Sequence, residues 1–404
     1  MLASALLPTV AAQATTYYVD PSGSDSNSGT EKTPFATVKK CLGLLLGGGD
    51  TCLIKNGTYM QTGALRIAFG GTATAPVQLK AYPGHAPVIQ FPVNTNDLLT
   101  QYELTVREGG GYGVPMGYVV IEGLTFRYGY NGIHAYACNH CTFRRNYFDD
   151  QFGSGILIVS SIDTTIDSNV IRDAGSFRPN GSGRAHGIYV AGSRLIITNN
   201  IIYNSATFGI QLNGIMAFDP KKFPTQEYSD TKDAIIANNV LAYSIKGSGL
   251  VIWGSRVTNA RILNNIFYEN WSTGPSSYPN GINWVACCSE GVQVNNNIFY
   301  ATGSGATMMS YGSAVEGVHY TQSGNSINAS APDFVNAPAT LPASPNFKLN
   351  ERSPAIDKGL PLTATRVDFD GTTRPQGRAY DIGAYEYRAG NDTQSPAAPM
   401  LQIH

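Results

Sequence analysis

From Tyr118 to Tyr311 the chain keeps returning to one phrase: a glycine, a branched apolar residue, and then strict alternation. It occurs at Gly132-Ile133-His134, Gly155-Ile156-Leu157, Gly187-Ile188-Tyr189, Gly209-Ile210-Gln211, Gly249-Leu250-Val251 and Gly281-Ile282-Asn283. A second phrase falls between copies, one or two Asn followed by apolar residues. It is seen at Asn146-Tyr147-Phe148, Asn169-Val170-Ile171, Asn199-Asn200-Ile201, Asn238-Asn239-Val240, Asn264-Asn265-Ile266 and Asn296-Asn297-Ile298. The glycines are 23, 32, 22, 40 and 32 residues apart, a period in the low twenties with insertions. Self-similarity at such a period marks a stacked repeat.

Each run is short, alternates with period two and is rich in Ile, Val, Tyr and Phe, so it predicts a strand. No helical pattern separates the runs, which excludes alternating strand–helix units. A coil of about 22 residues holding two or three short strands is one turn of a parallel β-helix. Successive coils then pair about 4.8 Å apart, and the Asn residues stack, bonding along the column at a turn. On these phrases the chain resembles the right-handed parallel β-helix proteins of the pectate-lyase-like superfamily. The expected fold is an all-β solenoid with an N-terminal helical cap and an irregular C-terminal cap. The boundaries read as cap 15–50, coils 51–326 and closing segment 327–388, together one domain of 15–388.

Alternation turns the repeat into a surface map. The residue after each glycine points inward, so the residues two and four after it point outward. The first outward column is His134, Leu157, Tyr189, Gln211, Val251 and Asn283; the second is Tyr136, Val159, Ala191, Asn213, Trp253 and Val285. Flat rings for sugar faces and amides for hydroxyls suit a carbohydrate groove. His134, Tyr136, Gln211, Asn213, Trp253 and Asn283 are therefore candidate substrate contacts. The surplus residues lie in Asp173 to His186, Ile215 to Asp233 and Trp271 to Asn280, and are expected on one edge of that face. They add Tyr228, Lys221 and Lys222 as binding candidates, with Tyr278 beside them. They also add a local excess of cations, fitting a substrate that bears carboxylates.

The densest chemistry is Arg184-Ala185-His186-Gly187-Ile188-Tyr189. A uronic-acid lyase neutralises a carboxylate, takes the C5 proton and protonates the leaving oxygen. Arg184 or Arg178 would neutralise; His186 or Tyr189 would exchange protons; Lys246 is an alternative base. The alternative readings are a turn histidine at His186 and a plain strand aromatic at Tyr189. The resemblance implies clustered Asp ligands for Ca²⁺ in pectate lyases of this fold. The outward columns carry no Asp, which also disfavours a two-carboxylate hydrolase.

Composition changes the picture little. The 404 residues hold 14% charged residues, 44 Gly and 23 Tyr, with net charge −1, so no global field draws nucleic acid or anionic lipid. No apolar run is long enough to span a bilayer. Residues 1–14 read as the remnant of a secretory signal ending in Ala12-Gln13-Ala14. Residues 389–404 read as a linker to a further module. Cys41 and Cys52 can form a disulfide; Cys138-Cys141 and the pair Cys287-Cys288 read as structural thiols or disulfides, not a zinc site. Asp20, Asp25 and Asn27 are spaced loosely like a calcium loop, the alternative being an ordinary Asx-turn loop. The expectation is a secreted monomer that cleaves an acidic polysaccharide by β-elimination. A hydrolase or C5-epimerase with the same groove, or a non-catalytic glycan-binding module, are the alternatives.

Overall fold

The structure is a computed structural model and describes residues 14–93, 102–108, 115–175, 185–214, 225–254, 256–270, 281–285, 289–302, 307–310 and 314–389. The signal remnant, nearly all of the linker, Arg178, Arg184, Lys221, Lys222, Tyr278, Cys287 and Cys288 lie outside the described residues.

Three long parallel sheets run side by side along one axis, with 11, 10 and 9 strands. The chain visits them in rotation. One coil places Val119–Glu122 in the first sheet, Thr125–Arg127 in the second and Ile133–Tyr136 in the third, and the next begins at Thr142–Arg144 in the first. The inward residue after each repeat glycine forms a continuous rib: Ile133, Ile156, Ile188, Ile210, Leu250 and Ile282 are all fully buried. Rings stack in the same way, Phe126 on Phe148 at 5.3 Å and Phe267 on Phe299 at 4.6 Å.

The doubled Asn has a physical reason. At the turn from the first sheet to the second, one residue per coil takes positive φ: Arg145, Ser168, Asn199, Asn238, Asn264 and Asn296. Asn tolerates this left-handed conformation better than most residues. The next residue builds the buried ladder Asn146, Asn169, Asn200, Asn239, Asn265 and Asn297, which ends at the half-buried Asn325. In each step the Oδ1 of one Asn accepts from the backbone N–H and the Nδ2 of the Asn one coil earlier, as Asn265 does from Asn239 at 3.0 and 2.9 Å. The remaining amide hydrogen reaches a strand carbonyl of the preceding coil, as Asn239 does to Ile197 O at 2.9 Å.

At the N-terminus the expected helical cap is a single turn of helix, Val38–Leu42. Thr37 caps it, and Asp25 accepts from Thr37 N and Oγ1, pinning the chain just before the turn. Phe35, Val38, Cys41, Leu42 and Leu45 close the first coil's core, and the Cys41–Cys52 disulfide ties this cap to the first sheet. Cys138 and Cys141 also form a disulfide.

After Asn328 the chain turns back along the outside of the second sheet. Phe334, Phe347, Leu349, Ala355, Ile382 and Tyr385 pack on Ile201, Val240, Ile266, Tyr268 and Ile298. The left-handed Asn residues hold it there: Asn238 Nδ2 donates to Asp381 O at 2.9 Å, Asn264 Nδ2 to Leu360 O at 2.9 Å and Asn296 Nδ2 to Lys358 O at 2.9 Å. One Asn of each pair thus builds the solenoid and the other carries the tail.

Candidate functional site

The third sheet is the face bordered by long connections. Those spanning 173–186 and 271–280 enter it from the second sheet. The one spanning 215–233 instead leaves it for the first sheet, after Ile210–Asn213 and before Ile235–Ala237. The surplus segments therefore flank both edges of the sheet, where a single edge was expected. The described part of the 215–233 connection is anchored to the first-sheet side. Arg194 holds Asp163 at 2.7 Å and Glu227 at 2.8 Å, and the Tyr228 hydroxyl accepts from Asn139 Nδ2 at 2.7 Å. Tyr228 is buried against Ala137 and Ile162, so it braces this wall.

The first outward column is one physical stack. Register carries it from Arg66 through Thr105, His134, Leu157, Tyr189, Gln211, Val251 and Asn283 to Ser310. In the second, Tyr136, Val159 and Ala191 stack, as do Asn213 and Trp253. Exposure divides this face. His134, Tyr136, Leu157 and Tyr189 are partly open and Trp253 is 39% exposed. Gln211, Asn213, Val251 and Asn283 are buried, Asn283 to 1% exposure, where an open column was expected. The accessible floor of the column is accordingly its N-terminal half. Lys246 is exposed, in the turn that leads into the strand Leu250–Trp253.

Of the Arg–His–Tyr cluster, His186 and Tyr189 are described. His186 is 3% exposed, with Tyr189 and Phe208 rings stacked at 5.9 and 5.6 Å. Its Nδ1 lies 2.8 Å from Thr207 Oγ1, whose hydrogen goes to Ala185 O, so Nδ1 is the donor. This is a packed turn histidine that props the Tyr189 ring. Asn213 Nδ2 donates to the Tyr189 hydroxyl at 2.5 Å, which fixes that ring against the face.

Two coils toward the N-terminus lies an arrangement the repeat did not reveal. Glu103, 5% exposed, places Oε1 2.8 Å from His134 Nδ1 and accepts from Asn131 Nδ2 on Oε2 at 2.6 Å. Asn131 is itself fixed, its Oδ1 accepting from Ser154 N at 2.8 Å. His134 Nε2 is buried and has no hydrogen-bond partner among the described residues. The Tyr136 ring, two residues along the same strand, is 4.3 Å from the imidazole. Glu103 immediately precedes the third-sheet strand Leu104–Val106, at the register position that Gly132 holds one coil on, but this coil lacks the glycine phrase, so no column pattern predicted it.

With this geometry in hand, similarity to known proteins becomes informative. A model described as "Pel9A-like, right handed beta helix region" matches residues 17–184, and one described as "Right handed beta helix region" matches 105–289. The crystal structure of pectate lyase Pel9A superposes with TM-score 0.58 at 18% identity, covering 92% of this chain and 96% of that one. The chain is a right-handed parallel β-helix protein. A rhamnogalacturonan lyase structure has the same fold, with TM-score 0.53 at 16% identity over 83% of this chain and 97% of the other. Pectate lyase PEL9 of Emericella nidulans is 36% identical over 86 residues, 21% of this chain and 20% of that protein. The uncharacterized protein YwoF of Bacillus subtilis is 36% identical over 72 residues, 18% of this chain and 15% of that protein. The chain thus matches a fifth or less of the length of these curated relatives.

A hard cation such as Ca²⁺ takes oxygen ligands, so a carboxylate cluster is where one would bind. Asp149, Asp150 and Asp173 bring carboxylate oxygens within 4.8 Å of one another at the turn from the second sheet into the third. Sequence reading found no Asp on the groove columns and missed this group at their border. The signal was the register: Asp150 and Asp173 are the positive-φ residues that end successive second-sheet strands. These three are the described residues that could hold a cation. As arranged they do not fit one, because Asp149 is buried with Arg172 at 2.7 Å on Oδ1 and Arg127 at 3.1 Å on Oδ2. Two guanidinium groups occupy the positions a cation needs. Burial raises the Asp173 carboxyl above its ordinary value, opposed by the Asn204 hydrogen bond and by Arg172.

The N-terminal loop also departs from a calcium site. Asp20 accepts from Ser22 N and Oγ, Asp25 from Ala36 N, Thr37 N and Thr37 Oγ1, and Asn27 donates to Pro34 O. Each of the three residues expected to converge on an ion is engaged by a different part of the loop.

Proposed function

We propose that this protein cleaves an acidic, uronic-acid-containing polysaccharide by β-elimination, with the chain of sugars lying along the third sheet. The observation that carries this reading is the single stack running Arg66, Thr105, His134, Leu157, Tyr189 on a face whose two edges bear the long connections. It places a cation, an imidazole and a phenol ring, Arg66, His134 and Tyr189, in a line, as a sugar chain needs, with Thr105 buried between the first two. Arg107 follows the strand Leu104–Val106, and its Nε is buried without a partner among the described residues. It adds positive charge near the same end. An inverting or retaining hydrolase needs two carboxyl groups flanking the bond. Among the described residues of the open columns there is none, and Glu103 is already committed to Asn131 and His134. Both curated and solved relatives include proteins named as pectate or rhamnogalacturonan lyases, which agrees with this reaction class.

The protein acts outside the cell on this reading, since disulfides at Cys41–Cys52 and Cys138–Cys141 persist in oxidising compartments. The test is incubation of the full chain with polygalacturonate, rhamnogalacturonan, alginate and chondroitin. Ultraviolet absorbance of an unsaturated uronate is followed beside reducing ends. Appearance of both supports a lyase. Reducing ends without the absorbance would make it a hydrolase, and a changed uronate composition without shortening would make it an epimerase.

A further inference from the structure

The geometry points to His134, held by Glu103, as the catalytic base of this groove, with Tyr136 as its acid partner; the inference rests on the elimination proposed above. A carboxylate can only accept, so Glu103 facing Nδ1 at 2.8 Å requires the hydrogen of a neutral imidazole to sit on Nδ1. The lone pair is then on Nε2, the atom a base uses. That nitrogen is buried with no donor among the described residues. A buried acceptor left unmatched is unfavourable, so this nitrogen is the one on the ring with capacity for a further donor or a proton. The carboxylate is in turn fixed by Asn131, and Asn131 by the Ser154 backbone, a three-link support that leaves the ring one orientation. By contrast His186 is packed between two rings.

The step balances with residues on the page. His134 Nε2 takes the proton from C5 of the uronate. The C5–H electron pair becomes the C4=C5 double bond as the C4–O bond breaks. The leaving oxygen takes the Tyr136 hydroxyl proton, and water returns the protons to Tyr136 and from His134. Both side chains leave one strand on the same side, two residues apart, with ring centroids 4.3 Å apart, so a sugar that displaces the cover over the buried Nε2 meets both. Glu103 acts through His134 and is a positioning residue.

The experiment compares wild type, His134→Ala, Tyr136→Phe and Glu103→Gln on the substrate that the survey above identifies. Circular dichroism and thermal unfolding confirm each fold. The expected result is a loss in kcat of about 10²–10⁴-fold for His134→Ala with KM little changed. Added imidazole should restore part of it. Glu103→Gln, which keeps an acceptor but not the charge, should lose less. His134→Ala retaining more than about a tenth of wild-type kcat would overturn the assignment. If the turnover proves hydrolytic, the elimination reading fails while the same variants still score the base. If no substrate turns over, histidine-labelled protein is titrated with oligogalacturonate and followed by NMR. A shift of the His134 Nε2 resonance then supports the site, and its absence at saturating ligand overturns it.

Discussion

Asn213 donates its amide hydrogen to the hydroxyl of Tyr189 at 2.5 Å, reaching diagonally across one turn of the solenoid. Such diagonal pairs on one face of a sheet couple neighbouring coils. Here the pair holds a flat ring on the open part of the groove, with His186 behind it. Tyr189 stands two coils from His134, roughly 10 Å at the inter-strand spacing, too far to share one proton transfer. On the reading proposed above it would contact sugar and not the transferred proton. Asn213→Ala and Tyr189→Phe should each raise KM by about tenfold, the equivalent of about 1.4 kcal/mol, with kcat within about threefold. Steady-state kinetics would decide. A large fall in kcat at constant KM would return the chemistry to Tyr189 and remove it from His134.

Much of the scaffold was readable before any coordinates, because stacking makes each coil repeat its neighbour's constraints. Gly132 to Gly281 located the third sheet, and Asn146 to Asn297 located the ladder. The site was less readable for the same reason. Glu103 matters because it stands beside one histidine, a single event at a coil where a charged residue takes the place of the repeat glycine, so the phrase that marks the other coils is missing. Asn283 looked open because alternation sets which way a side chain leaves the strand and says nothing of what covers it. The edge on which Ile215 to Asp233 lies depended on where a third-sheet strand ends, a boundary that apolar alternation marks poorly.

The ladder makes a sharp stability test. Asn239 is fully buried. Its Nδ2 donates to Ile197 O and Asn265 Oδ1, while its Oδ1 accepts from Asn200 N and Asn200 Nδ2. Asn239→Ala leaves several of these groups unsatisfied inside the core, each at about 1–3 kcal/mol. A loss on the order of 3 kcal/mol or more is expected in urea unfolding. Asn259→Ala, which loses an exposed bond to Asp233 and places Ala at positive φ, should cost only about 1–2 kcal/mol. Equal effects would mean that the column is not what couples the coils.

The tail is fastened by a buried ion pair. Arg374 and Glu386 meet at 2.6 Å with both side chains fully buried, and Arg374 also donates to Asp381 O, Gly383 O and Asn199 Oδ1. Removing one member of a buried pair strands the other charge, typically at 3–5 kcal/mol. Arg374→Met should loosen residues 327–389 from the second sheet before the solenoid itself unfolds. Limited proteolysis should then cut within that segment while the coils survive. Cutting in the coils at the same rate would show that tail and solenoid unfold as one unit.

The same fastening predicts a pH dependence with a definite sign. Burial pushes the Asp381 carboxyl up to about 6 from 3.8; hydrogen bonds from the Tyr387 and Asp357 backbones oppose the rise, Glu386 adds to it and Arg374 counters it. Burial raises Asp368 as well. A carboxyl whose folded pKa lies above its unfolded one binds protons more tightly in the folded state. Its contribution is fully present below 3.8 and is lost as pH rises through about 6. Asp381→Asn removes this titration and keeps an oxygen for one of the two backbone donors, Asp357 N or Tyr387 N; the loss of the other does not vary with pH. The stability of wild type relative to Asp381→Asn should therefore fall between pH about 4 and about 6, by roughly 3 kcal/mol at most, and level off above. Urea unfolding of both proteins across that window gives the difference directly. A difference that grew with pH would mean that Arg374 and the backbone donors outweigh burial, leaving Asp381 an ordinary ionised anchor.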